Sequence, residues 1–131
     1  MKRRRARENA FQALFRLDFT DKVPDDTELQ HLCEDKDSGV ISFCMDIVSG
    51  TMRNLKEIDS VIKNVAEHWV IERMAVVDRN ILRAAVYELL YRDDIPPKVT
   101  INEAIEIAKK YSTEESSSFI NGILDKISKR R

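Results

Sequence analysis

Cysteine, glycine and proline are scarce in this chain of 131 residues, which has two, three and three of them. The two cysteines, Cys33 and Cys44, are too few for a disulfide scaffold and belong to no CxxC motif. Buried, small apolar thiols in a reducing cytoplasm are the expectation. The glycines at 39, 50 and 122 are isolated, so no phosphate-cradling loop of the GxGxxG or GxxxxGK[ST] kind exists for nucleotide catalysis to rest on. No apolar run approaches the roughly 20 residues of a membrane span. The basic start is not followed by the apolar stretch of a signal peptide, so no membrane contact is expected. Histidine is scarce too. His31 and Cys33 are two apart and point to different sides of a helix, and His68 has only Glu72 at ligand spacing, so neither a metal nor another cofactor is expected. Ser116, Ser117 and Ser118 have no histidine or nucleophile elbow near them. The acid pairs Asp93 with Asp94 and Glu114 with Glu115 read as solvated helix ends. No catalytic residue is assigned, and the chain reads as non-enzymatic.

What is present is charge, unevenly placed. The formal net charge is only −1, from 22 basic and 23 acidic residues. Lys2, Arg3, Arg4, Arg5 and Arg7 crowd the start, and Lys126, Lys129, Arg130 and Arg131 the end. Residues 8–125 therefore hold 13 of the 22 basic residues against all 23 acids, a balance of −10. Such polarity suits a polyanion at one surface and a different partner elsewhere.

Apolar residues recur at helical spacing nearly throughout. Ala6, Ala10, Ala13, Leu14 and Leu17 share one side of a first helix, with Phe11, Phe15 and Phe19 as a ridge beside them. A short acidic segment from Glu28 to Glu34 follows Pro24. Ile41, Cys44, Met45, Val48, Met52 and Leu55 mark a third helix. Asn54 with Glu57 then resembles a cap for a fourth carrying Ile58, Val61, Ile62 and Val65. Trp69 and Val70 open the next stretch. Val76 to Tyr91 reads as a central helix, apolar most of the way round, with Asp78, Asn80, Arg83 and Tyr87 as its polar edge. Pro96 and Pro97 impose a break. Thr100 with Glu103, and Ser112 with Glu115, have the capping-box spacing that opens the last two helices. The length suits one compact domain or two small helical halves sharing an interface.

Two features point to binding. Clustered arginines in the basic arm offer forked donors matched to phosphate and planar faces for stacking on bases, although a solvated tail has the same composition. In the last helix, Phe119 flanks the stripe of Ile120, Ile123, Leu124 and Ile127, Gly122 leaves bare backbone beside it, and Lys126 adds charge on the same side. An edge aromatic beside a cation can stack a single-stranded base and neutralise its phosphate. Equally, Phe119 can pack on a neighbouring helix while Gly122 allows a close crossing.

The same segments carry a resemblance. Arg3-Arg4-Arg5-Ala6-Arg7-Glu8 with Ala13-Leu14-Phe15, Val77-Asp78-Arg79-Asn80-Ile81-Leu82-Arg83 with Tyr87-Glu88-Leu89, Asn102-Glu103-Ala104-Ile105-Glu106-Ile107-Ala108-Lys109, and Phe119-Ile120-Asn121-Gly122-Ile123-Leu124-Asp125-Lys126 resemble, in order, the pattern of the NusB transcription antitermination family. The resemblance implies an all-α fold of about seven helices in two small bundles packed side by side, here a single domain over 1–131 with subdomains 1–56 and 57–131. It implies pairing with the ribosomal protein NusE, binding of boxA RNA in nascent transcripts, including those of ribosomal RNA operons, and an indirect tie to the RNA polymerase antitermination complex. Lys2, Arg3, Arg4, Arg5, Arg7, Phe119 and Lys126 become the RNA candidates, and Phe15, Asp78 and Tyr87 the candidates for the protein interface. Ser112 stands where members often have glycine, and Ser118 where a basic residue is common. Five arm cations on single-stranded RNA would give a salt slope of about −3.5. The rival expectations are a helical protein-interaction adaptor and an accessory domain of an RNA methyltransferase, though the sequence ends without a glycine-rich cofactor segment.

Overall fold

The structure, a computed structural model, describes residues 2–20, 22–66 and 70–130. Seven α-helices make it up: α1 Lys2–Leu17, α2 Asp26–Leu32, α3 Ser38–Arg53, α4 Leu55–Val65, α5 Val76–Tyr91, α6 Pro97–Tyr111 and α7 Glu114–Lys129, with a 3-10 turn at Ile71–Arg73 before α5. Among the described residues there is no strand. The expected His68 and Trp69 contributions lie outside the described residues.

Helix α5 is the axle. Ile81, Leu82, Ala85, Val86 and Leu89 are all buried, and it packs against α1, α3, α4, α6 and α7. One bundle, α1 to α3, and another, α4 to α7, meet on it, so burial of each large aliphatic residue there, at about 1.5–3 kcal/mol apiece, holds both halves together. Helix α3 comes especially close: a Cβ added to Gly50 would collide with the Tyr87 ring.

Local chemistry explains most helix ends. The Asp25 carboxylate accepts from the Glu28 amide, Asp37 from the amides of Gly39 and Val40, and the Thr113 hydroxyl from the Ser116 amide. Three expected caps are corrected. Asn54 donates its side-chain N–H to the Gly50 carbonyl at 2.8 Å, closing α3 rather than opening α4. Thr100 lies inside α6, which starts earlier at Pro97, a residue suited to a first turn; its hydroxyl donates to Glu88. Thr113, not Ser112, caps α7, because the Ser112 hydroxyl donates to Asp78. The cysteines are corrected as well: Cys33 and Cys44 are fully buried, as expected, but joined in a disulfide that ties the end of α2 to α3.

Candidate nucleic-acid interface

The basic arm is not a loose tail. Helix α1 runs from Lys2, so its cations stand at fixed positions along a helix. Lys2 meets Asp37 at 2.8 Å, the Arg5 guanidinium grips Asp35 at 2.9 and 3.0 Å, and Arg4 donates from Nε to both Glu103 oxygens at 3.2 Å. The Arg5 hydrogen bonds, with a backbone N–H from Asp37, bring the Asp35 carboxyl down to about 2. Asp37 is held low by Lys2 and by the amides of Val40 and Gly39. These pairs are exposed and screened by salt, so a polyanion can compete for their cations. Arg3 is different. No carboxylate among the described residues lies within ion-pair distance of it, Asp94 feeling its charge only at longer range, and its guanidinium lies 4.7 Å over the Phe43 ring.

Arg7 overturns its expected role. It is 6% exposed, and its guanidinium donates to both oxygens of Glu88 and lies 3.6 Å from Glu103. A forked group buried and committed in this way has no face left for RNA. It is a tie between α1, α5 and α6.

Helix α7 carries the second group of candidates. Phe119 is half-buried against the core, while Asn121, Gly122 and Lys126 are exposed. A Cβ on Gly122 would meet nothing within 4 Å, so this glycine serves no close helix crossing and leaves open backbone beside Phe119. The arm's ion pairs run to α5, α6 and the segment before α3, so the two groups of RNA candidates sit on different elements.

The expected protein-interface residues divide. Phe15 is half-buried and meets Phe19 edge-on at 5.2 Å, and Phe19 is 68% exposed, so the end of α1 presents an aromatic step. Asp78 and Tyr87 are corrected. Asp78 is buried, accepting from the hydroxyls of Ser112 and Ser116 at 2.7 Å each. Tyr87 is buried against α3 and donates to Asp46 at 3.0 Å. The expected polar edge of α5 is in fact an internal network. Asp18 on the α1 side accepts from Arg79 at 2.7 Å and Asn80 at 2.8 Å, and Arg83 grips Asp59 of α4 at 2.8 Å. Burial alone would raise the Asp18 pKa, but these hydrogen bonds and the Arg83 charge win and hold it below the usual carboxylate range.

Phe43 and Arg92 were missed by sequence reasoning. Phe43 lies outside the apolar positions that mark α3 in the sequence, and Arg92 follows directly on the end of α5. Folding brings Arg3, Arg7 and Arg92 within 5.2 Å of the Phe43 ring centre, where Arg92 is anchored by Asp46 at 2.7 Å and by Asp94 at 2.8 Å.

A basic helix start, an arginine over an aromatic ring and a half-buried aromatic beside exposed Lys126 on α7 are elements that a single-stranded RNA surface can use. Residues 4–129 match the model of the NusB family. The chain belongs to that family. A transcription antitermination protein NusB of Thermodesulfovibrio yellowstonii is 47% identical, with 98% of this chain and 93% of that protein aligned. One from Desulfitobacterium hafniense is 49% identical over 97% of this chain and 88% of that protein. Among solved structures, T. maritima NusB superposes with a TM-score of 0.90 at 44% identity, covering 98% of this chain and 92% of that one. A structure described as antitermination factors NusB and NusE in complex with dsRNA contains a chain that superposes at 0.88 and 30% identity, covering 99% and 98%.

Proposed function

We propose that this chain is a transcription antitermination factor that pairs with NusE and binds boxA RNA of nascent transcripts, including those of ribosomal RNA operons. It acts in the cytoplasm, without catalysis of its own, and reaches RNA polymerase only through the complex it joins. The observation that carries the reading is the exposed first turn of α1, where Lys2, Arg3, Arg4 and Arg5 fan out around the helix start on a family member whose relative is described with NusE and dsRNA.

The roles divide by accessibility. Lys2, Arg3, Arg4 and Arg5 neutralise phosphates, the paired ones by exchanging an internal carboxylate for the RNA. Phe119 with Lys126 offers a stacking edge and a cation on α7. Phe15, with its exposed neighbour Phe19, is the side of α1 that suits a protein partner, because an exposed aromatic step is costly unless covered. Electrostatic contact of this kind is blind to sequence, so selection of boxA rests on base stacking and on what NusE adds.

The test is fluorescence anisotropy of labelled boxA RNA and of a scrambled RNA of equal length, titrated with the chain alone and with equimolar NusE. Tighter binding of boxA in the presence of NusE supports the reading. Equal binding of both RNAs, or none beside a partner that still associates, leaves a helical adaptor.

A further inference from the structure

Arg3 is the arm cation that already lies over an aromatic ring and has no close ion pair among the described residues. Lys2, Arg4, Arg5 and Arg7 each meet a carboxylate, whereas the Arg3 side chain is exposed and lies over Phe43. The ring beneath it is almost fully covered, at 8% exposure, and also has near it buried Arg7 and Arg92, itself held by Asp46 and Asp94. The guanidinium thus sits on a firm aromatic base. Beside it, between the start of α1 and α3, opens a cleft of about 550 Å³ lined by Lys2, Arg3, Ser42, Phe43, Asp46 and Arg92, among others.

We propose that this cleft is a subsite for one nucleotide of the bound RNA, whose base stacks on the outer face of the Arg3 guanidinium and whose phosphate is met by Lys2. The inference rests on the RNA-binding reading above and adds a place and a residue to it. A guanidinium is planar, so one face can lie on Phe43 while the other takes a base, an arrangement an ammonium cannot supply. Held over the ring, Arg3 also loses little freedom when RNA arrives, and it has no close ion pair to break, Asp94 acting on it only at longer range. The exposed Ser42 hydroxyl stands at the cleft to meet the edge of a base, which gives it a means of preferring one base over another.

Abasic scanning tests this. A boxA RNA is made with each base removed in turn, and its affinity for the complex with NusE is measured with wild type, Arg3→Lys and Ser42→Trp. Arg3→Lys keeps the charge and loses the stacking plane; Ser42→Trp fills the cleft from an exposed helical position. One abasic position is expected to weaken wild-type binding about fivefold or more and to make no further difference in either variant. Ultraviolet crosslinking of a 4-thiouridine at that position should map to residues 39–46. If Arg3→Lys and Ser42→Trp bind every RNA as wild type does while Arg5→Ala still weakens binding, the subsite is wrong and the RNA reading stands. If wild type binds no RNA even with NusE, both fall.

Discussion

Arg7 on α1 and Glu88 on α5 form a buried, two-pronged ion pair, with Nε to Oε2 and Nη2 to Oε1 both at 2.9 Å. Thr100 adds its hydroxyl to the same carboxylate at 3.0 Å, so three helices share one charge pair. Removing one partner leaves the other buried and uncompensated. Glu88→Ala or Arg7→Ala is therefore expected to cost about 3–5 kcal/mol in urea unfolding, far more than an exposed pair would. Arg7→Met combined with Glu88→Leu should recover most of that loss. Equal stability of Arg7→Ala and wild type would show that Arg7 is a surface cation after all.

Gly50 is where α3 has no room for a side chain. Gly50→Ala should lower stability by about 1–3 kcal/mol, because the added methyl has to push aside the ring of buried Tyr87. Tyr87→Phe should cost about 1 kcal/mol, the value of its single hydrogen bond to Asp46. Thermal unfolding of both variants, and of Gly50→Ala with Tyr87→Leu, where the clash is relieved, checks the assignment.

Much of the fold was legible in the sequence, and particular residues show why the rest was not. The stripe Leu82, Ala85, Val86 and Leu89 marks α5 with the bounds observed, since a helix surrounded by neighbours is apolar on every side. Periodicity identifies a face but not what covers it, so Asp78, Asn80 and Tyr87 read only as a polar edge, with nothing to show that each has a partner inside the fold. Arg7 left a signal that was there to find. It lies four residues before Phe11 and seven before Leu14, on the buried side of α1, and Glu88 is a matching acid within the mostly apolar α5. Thr100 and Glu103 had the spacing of a cap, but the proline at the start of α6 already begins the helix, which releases both side chains for Glu88 and for Arg4 with Arg7. The pairing of Arg3 with Phe43 joins residues forty positions apart and has no local signature.

Acid should loosen the fold through its carboxylates. Asp35 and Asp94 titrate at about 2, Asp35 because of Arg5 and Asp94 because of Arg92, against an ordinary value of 3.8. Asp18 and Glu8 are also held low, each against its own burial, by hydrogen bonds from Arg79 and Asn80 and from Lys110 and Tyr111. A depressed carboxylate contributes stability that is complete above its unfolded value and disappears as pH falls through the folded one. The urea midpoint is therefore expected to hold above about pH 5 and to decline from about pH 4 towards pH 2. Asp18→Asn should lower it at neutral pH and flatten that decline. A midpoint independent of pH across this window would show that these pairs contribute nothing.

Salt should reveal how many arm cations reach RNA. With Arg7 committed to Glu88, the four remaining cations of the arm predict a slope of about −2.8 in log affinity against log salt, in place of about −3.5 for five. Asp35→Asn should tighten RNA binding by releasing Arg5 from its internal partner, and Arg5→Ala should reduce the slope by about 0.7. A slope unchanged by Arg5→Ala would remove that residue from the interface.

Antitermination by this chain is measured as readthrough of a terminator. A template carrying a boxA leader ahead of a terminator is transcribed in a cell extract depleted of this protein, with wild type, Arg3→Ala or Phe119→Ala added back. Wild type is expected to restore full-length transcript, with a smaller gain for either variant and none on a scrambled leader. Readthrough that stays at the depleted level after wild type is added, or rises equally on both leaders, would show that this chain is not a boxA-dependent antitermination factor.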